Sequence, residues 1–251
     1  MYNPFSLENK TILVTGASSG IGRATAIECS KMGAKVVITA RNKERLKETF
    51  LQLEGEEHLQ IVADLNKSEE CNKLVDFVPK LDGIVHCAGI GISLPFQLCS
   101  IEEVRGVIDT NLIAPIDLLY QILQAKKNEK TGFSIVFISS IAGNVVSYTG
   151  SSIYSASKAG ISGLAKGMAI DLASKNVRVN SILPGMVETP MVEGLSETVS
   201  QEALESDKKR YPLKRYGKPE EIAHATIYFL SDASSWVTGS NLVIDGGFTL
   251  L

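Results

Sequence analysis

The stretch TILVTGASSGIGRA, residues 11–24, decides the fold. It opens on a short apolar run rich in β-branched residues, the pattern of a strand buried on both faces. Gly16, Gly20 and Gly22 follow at G-x-x-x-G-x-G spacing, and a helical pattern begins at Ile21 and continues to Lys31. Glycines let the backbone turn tightly and approach a pyrophosphate, while a helix start offers unpaired N–H groups and positive potential. A glycine cluster alone is weak evidence, and a plain tight turn competes with it. Its place between the first strand and the first helix is the context that a nucleotide-binding turn requires. That reading assigns Gly16, Ser18, Ser19, Gly20, Ile21 and Gly22 to a bound cofactor.

The rhythm set by this unit continues almost to the end of the chain. KVVIT, LQIVA, GIVH, FSIVFIS, VRVNSIL and NLVI read as further strands. Between them lie helical patterns over 43–53, 69–78, 101–124, 154–173 and 220–230, with Ser68 and Ser100 as expected N-caps. Such alternation predicts a single-domain, Rossmann-type, doubly wound α/β fold over 1–251, its seven-stranded sheet mainly parallel with helices on both faces. Residues 186–218 break the rhythm: they are long, charged and without a strand, which suits a substrate lid better than a connector.

The bulk numbers narrow the class. With 44% hydrophobic residues over 251 positions the chain can bury a full core, and its net charge of −3 gives no reason to expect nucleic acid or an anionic membrane. The four cysteines, Cys29, Cys71, Cys87 and Cys99, show no C-x-x-C pair or metal spacing, and no metal site is expected. His58 and His86 read as core or surface histidines. No signal-peptide pattern opens the chain and no apolar run could span a bilayer, so the expected location is cytoplasmic.

Three side chains carry the chemistry. Tyr154 and Lys158 stand four apart on one helical face. A free tyrosine titrates near ~10, and a neighbouring ammonium is expected to lower that value, making a phenol able to exchange a proton with a substrate oxygen. Ser140 ends an apolar run, and so sits where open α/β sheets bind ligands. On spacing alone, an exposed Tyr–Lys pair is the commoner explanation. At the end of the second strand stand Ala40 and Arg41, with no acid until Glu44. An acid there would hold a ribose 2′-hydroxyl and an arginine accepts a 2′-phosphate, so the cofactor expected is NADP(H) rather than NAD. A solvated basic loop is the competing reading.

Taken together the motifs resemble the short-chain dehydrogenase/reductase family, over nearly the whole chain from Lys10 to Phe248. They are TGASSGIG (15–22), ADL (63–65), CAG (87–89), Asn111, ISS (138–140), YSASK (154–158), PGMVETP (184–190) and VTGSNLVIDGG. The resemblance implies that Asp64 and Leu65 flank the adenine and that the backbone of Ala88 and Gly89 lies beside the ribose. It further implies that Ser140 holds the substrate oxygen, Tyr154 transfers the proton, and Lys158 binds the nicotinamide ribose. Asn111 would anchor a water joining Lys158 to solvent, and Pro184, Gly185, Val187 and Thr189 would position the nicotinamide amide. Homotetramers built on the long central helices and the C-terminal segment are also implied.

Three departures from the family pattern stand out. His86-Cys87 replaces a usual Asn-Asn pair, and the Ser–Tyr interval is one residue longer, which makes Ser139 a rival to Ser140. Relatives that reduce 3-oxoacyl groups on an acyl carrier protein often carry a basic residue where this chain has Ile170; Lys126, Lys127, Lys130 and Lys166 lie elsewhere. The expected activity is NADP(H)-dependent hydride transfer between nicotinamide and a carbonyl or secondary alcohol. A 3-oxoacyl-thioester reductase comes first, with acyl carrier protein as a potential partner. Alternatives are a sugar, polyol or steroid alcohol dehydrogenase and, from another class, a catalytically silent NADP(H)-sensing module.

Overall fold

All seven apolar runs become strands of one parallel sheet in a computed structural model that describes residues 2–193 and 200–250. In chain order the elements are β1 (Thr11–Thr15), α1 (Gly20–Lys31), β2 (Lys35–Ala40), α2 (Lys43–Phe50), β3 (Leu59–Val62) and α3 (Ser68–Phe77). Then come β4 (Gly83–His86), α4 (Ile101–Ile108), α5 (Ala114–Gln124), β5 (Phe133–Ile138), α6 (Ser152–Leu172) and β6 (Val177–Pro184). The chain closes with α7 (Pro190–Glu193), α8 (Gln201–Arg210), α9 (Pro219–Leu230) and β7 (Asn241–Ile244). The strand order is β3-β2-β1-β4-β5-β6-β7, every pair parallel, with Leu13 opposite Val37 on one side and Ile84 on the other.

Alternate residues of each strand feed opposite layers. Ile12, Val14, Val36 and Ile38 pack with Ile222, Ile227 and Phe229 beneath α1 and α9. Leu13, Val37, Ile84 and Ile135 pack with Leu118, Ile122 and Ile161 under α5 and α6. Burial on both faces is why these strands read as continuous apolar runs. Because the chain leaves β1 toward β2 and leaves β4 toward β5, the loops after β1 and β4 diverge and open a crevice at their C-terminal ends.

Two local features depart from the sequence reading. The helix expected over 101–124 is interrupted by a π-helical turn at Asp109–Ile113, so α4 and α5 are separate segments. Ser100 caps α4 with a capping box to Glu103, as expected, but Ser68 lies inside α3 and Lys67 holds the cap position. The strandless 186–218 segment contains α7 and α8; its residues 194–199 lie outside the described part of the chain.

Candidate active site and cofactor cleft

The turn after β1 needs its glycines. Gly16 has φ of +65°, and a Cβ there would meet the backbone N of Ala88 at 2.7 Å. The β1 and β4 loops therefore touch backbone to backbone, with the Ala88 N–H donating to Thr15 Oγ1 at 3.2 Å. A Cβ on Gly22 would run into the Gly16 carbonyl. Ser19 at the start of α1 makes no side-chain cap, leaving the first N–H groups of the helix for a ligand.

Above this turn lies a cleft of about 880 Å³. Every residue expected to touch the cofactor lines it: the Gly16–Gly22 turn residues named above, Arg41, Asp64 and Leu65, Ala88 and Gly89, Tyr154 and Lys158, and Pro184, Gly185, Val187 and Thr189. Ser140 lines it too. Asn111 does not. It is buried in the π turn, where Oδ1 accepts the Ile90 N–H at 2.8 Å and Nδ2 donates to the Ile90 carbonyl at 2.9 Å and to Ser157 Oγ at 3.0 Å. Both amide protons are thus committed to protein, and Asn111 holds the 89–90 backbone against α6; a water anchored here would have to bond its oxygen.

Lys158 is buried, 7% exposed, a rare state for an ammonium. Its Nζ donates to the Ile138 carbonyl at 2.9 Å, the only such bond among the described residues, leaving two protons for other acceptors. Burial lowers its pKa to about 8. The same Nζ lies 5.7 Å from the centre of the Tyr154 ring. Burial pushes the Tyr154 phenol up to about 12, against a smaller lowering from the Ser140 hydroxyl that faces it and a small rise from Tyr148. The expected depression by Lys158 is not among the causes of this shift: desolvation dominates and holds the phenol neutral.

Ser139 and Ser140 part company at the end of β5. Ser139 Oγ donates to the Lys158 carbonyl at 2.8 Å, contacts Ser162 Oγ at 2.9 Å and accepts from Asn144 at 3.2 Å, which fastens the strand to α6. Ser140 Oγ is held by the Ala142 N–H at 3.1 Å and faces the phenol. In the loop between Ser140 and α6, Gly143 and Gly150 take positive φ, and Tyr148 reaches the cleft wall.

At the far end of the cleft, Arg41 and Arg45 present guanidinium groups with no side-chain bond among the described residues, and Ala40 replaces an acid. Arg23 differs: it is spent on Thr49, the Ser18 carbonyl and Glu48. Sequence reasoning missed Arg45, although its position one turn into α2 from Arg41 was readable. It also missed Asn66 and Thr110, joined at 2.9 Å, because nothing local signals that a helix on the other side of β4 reaches this wall. The glycine cradle, bare helix start and under-bonded buried ammonium together fit a dinucleotide.

The remaining marked residues are structural. His58 accepts from the Val36 N–H at 3.1 Å, and its other ring nitrogen lies 2.9 Å from the Glu54 carbonyl. His86 stacks on Phe137 at 5.1 Å, and burial lowers it to about 3, so it is neutral. Cys87, a thiol where an amide was usual, lines the cleft, and burial pushes its pKa up to about 12. Among the described residues no cluster of three His, Cys, Asp or Glu could hold a metal.

Residues 16–249 match the family model described as enoyl-(acyl carrier protein) reductase. A 3-oxoacyl-(acyl-carrier-protein) reductase of Thermotoga maritima is 36% identical, the match covering 97% of this chain and 99% of the relative. Carbonyl reductase family member 4 of Danio rerio is 35% identical, covering 97% and 99%. Among solved structures, an actinorhodin polyketide ketoreductase with NADPH superposes with a TM-score of 0.91 at 30% identity, over 100% of both chains.

Proposed function

Because the chain belongs to the short-chain dehydrogenase/reductase family of oxidoreductases, we propose that it is an NADPH-dependent reductase of 3-oxoacyl thioesters. The observation that carries this reading is the convergence of Ser140, Tyr154 and a buried, under-bonded Lys158 in the cleft whose other end carries Arg41 and Arg45. The nicotinamide cofactor, when bound, supplies the hydride. Ser140 donates a hydrogen bond to the substrate carbonyl oxygen, and Tyr154, kept neutral by burial, gives that oxygen its proton. Lys158 bonds the ribose and supplies positive charge beside the phenol as it gives up its proton. Asn111 acts as a positioning residue. Ile92, Met191, Tyr148 and Phe248 give the catalytic end an apolar wall, which favours an acyl chain over a polyol, and residues 186–218 serve as the lid. A panel of acetoacetyl thioester, ketosteroid and ketose, followed by loss of NADPH absorbance, tests the assignment. Fastest turnover of the thioester is expected, and turnover of the ketose alone contradicts it.

The Lys158 titration gives this reading a pH signature. Its ammonium, with a pKa of about 8, is charged below that pH and lost above it, whereas Tyr154 keeps its proton throughout. The pH profile of kcat/KM for NADPH reports the free enzyme. It is expected to be level below about pH 8 and to fall about tenfold per unit above it. A fall that begins only near ~10.4, the value of an ordinary lysine, contradicts the role of the buried ammonium.

An acyl carrier protein is the proposed macromolecular partner, met by a basic surface. Lys127 is unavailable, since it caps α3 through the carbonyls of Val78 at 2.8 Å and Asp76 at 3.2 Å. Lys126 and Lys166 are exposed. Their joint reversal to Glu is expected to raise KM for a carrier-bound substrate and spare a small thioester, because rim charges act on encounter. Equal effects on the two substrates contradict a carrier partner. Exposed Ile113, Ile116 and Tyr120 near α5, and Ile170 on α6, support assembly as a homotetramer, in a reducing compartment consistent with four unpaired thiols.

A further inference from the structure

We propose that a chamber beside the catalytic end of the cleft is a subsite for an anionic group on the substrate, recognised by Arg210; this rests on the reductase reading above. The chamber, about 400 Å³, lies between the loop before α6 and the C-terminal turn, lined by Val146, Ser147, Tyr148, Arg210, Phe248 and Thr249. Tyr148, Arg210 and Phe248 also line the main cleft, so these three form the threshold between the two spaces. Tyr148 is close enough to Tyr154 to affect its titration, and feels the charges of Asp207 and Arg210 in turn. A substrate whose carbonyl sits at Tyr154 therefore extends past Tyr148 to reach the arginine.

The chemistry of the chamber suits an anion. Arg210 lies with its guanidinium carbon 4.9 Å from the centre of the Phe248 ring, a cation–π contact that holds the otherwise exposed group at this wall. Its Nη1 donates to Asp207 at 2.9 Å; among the described residues Nε and Nη2 have no partner. The other Asp207 oxygen accepts from the Tyr216 hydroxyl at 3.0 Å, so that carboxylate is already held by two donors. Arg210 thus keeps four of its five donor protons for a ligand. The neighbouring Lys208 differs, being paired with Glu205 at 2.7 Å and set over Tyr216. The Ser147 and Thr249 hydroxyls, also without side-chain partners among the described residues, add two donors to the wall. A planar guanidinium with two hydroxyls matches a carboxylate or a phosphate.

Two substrate pairs distinguish the sources of that charge. Acetoacetyl-pantetheine and its 4′-phosphate differ only by a phosphate; methyl acetoacetate and acetoacetate differ by a free carboxylate. Wild type is expected to prefer the charged member of one pair, and the responding pair identifies the group. Arg210→Gln is expected to cut that charged-to-neutral ratio of kcat/KM by about tenfold, the effect of one charge-assisted hydrogen bond at a partly open site. The change should appear in KM, with Arg210→Lys restoring part of it. A wild type without preference in either pair, or an Arg210→Gln variant whose ratios match wild type, overturns the subsite while leaving the reductase standing. Failure to reduce any of the four compounds overturns the reductase reading, and the subsite with it.

Discussion

Tyr154→Phe is expected to retain NADPH binding while losing about 10²–10⁴-fold in turnover, the usual contribution of a positioned acid or base. The change deletes one oxygen from a half-buried ring and leaves the ring itself in place, so a folding defect is not expected. The phenol is the group facing Ser140 and lying beside the Lys158 ammonium. Cofactor affinity, measured by quenching or calorimetry, separates the two roles: a Phe variant that binds NADPH and fails to turn over supports Tyr154 as proton donor. Turnover above half of wild type contradicts it, and would direct attention to a donor elsewhere in the cleft.

The second large effect concerns cofactor choice. Arg41 and Arg45 have no side-chain bonds of their own among the described residues, and no acid stands at the end of β2. A guanidinium–phosphate hydrogen bond is worth about 1.5–3 kcal/mol, less where solvent screens it, and each ~1.4 kcal/mol is a factor of ten. Arg41→Ala is expected to weaken NADPH about tenfold, and the Arg41→Ala/Arg45→Ala pair by roughly 10²-fold. NADH, which carries a hydroxyl in place of the phosphate, should hardly respond. Ala40→Asp should push preference further toward NADH by repelling the phosphate and accepting from the ribose hydroxyl. The ratio of kcat/KM for the two cofactors is the readout; a wild type that already prefers NADH, or a ratio unmoved in the double variant, contradicts the 2′-phosphate assignment.

What could be read before the fold was known depended on how local each signal was. The strands were legible because a strand buried on both faces must be apolar at every position, as FSIVFIS and GIVH are. The glycine turn was legible because its geometry excludes a Cβ. Tyr154 and Lys158 were legible as a pair, but their titration was not. The sequence shows a cation four residues from a phenol; that the lysine is buried and the phenol half-buried depends on β5, α6 and the loop between them. Burial then reverses the expected shift of the phenol. The choice between Ser139 and Ser140 likewise needed the bond from Ser139 to the Lys158 carbonyl. Arg210 lies in an exposed, charged helix with no buried residue, and only its apposition to Phe248, far along the chain, gives it a site to serve.

The most direct measurement of the central claim follows the hydride itself. NADPH carrying deuterium at the transferred C4 position is incubated with acetoacetyl thioester, and the product is analysed by mass spectrometry and NMR. If the cleft joins cofactor, Ser140, Tyr154 and Lys158 around one carbonyl, the label appears on the carbinol carbon of a 3-hydroxyacyl product, and the Tyr154→Phe variant yields almost none. Oxidation of NADPH without label in the product, or labelled product formed equally by the Phe variant, would contradict it.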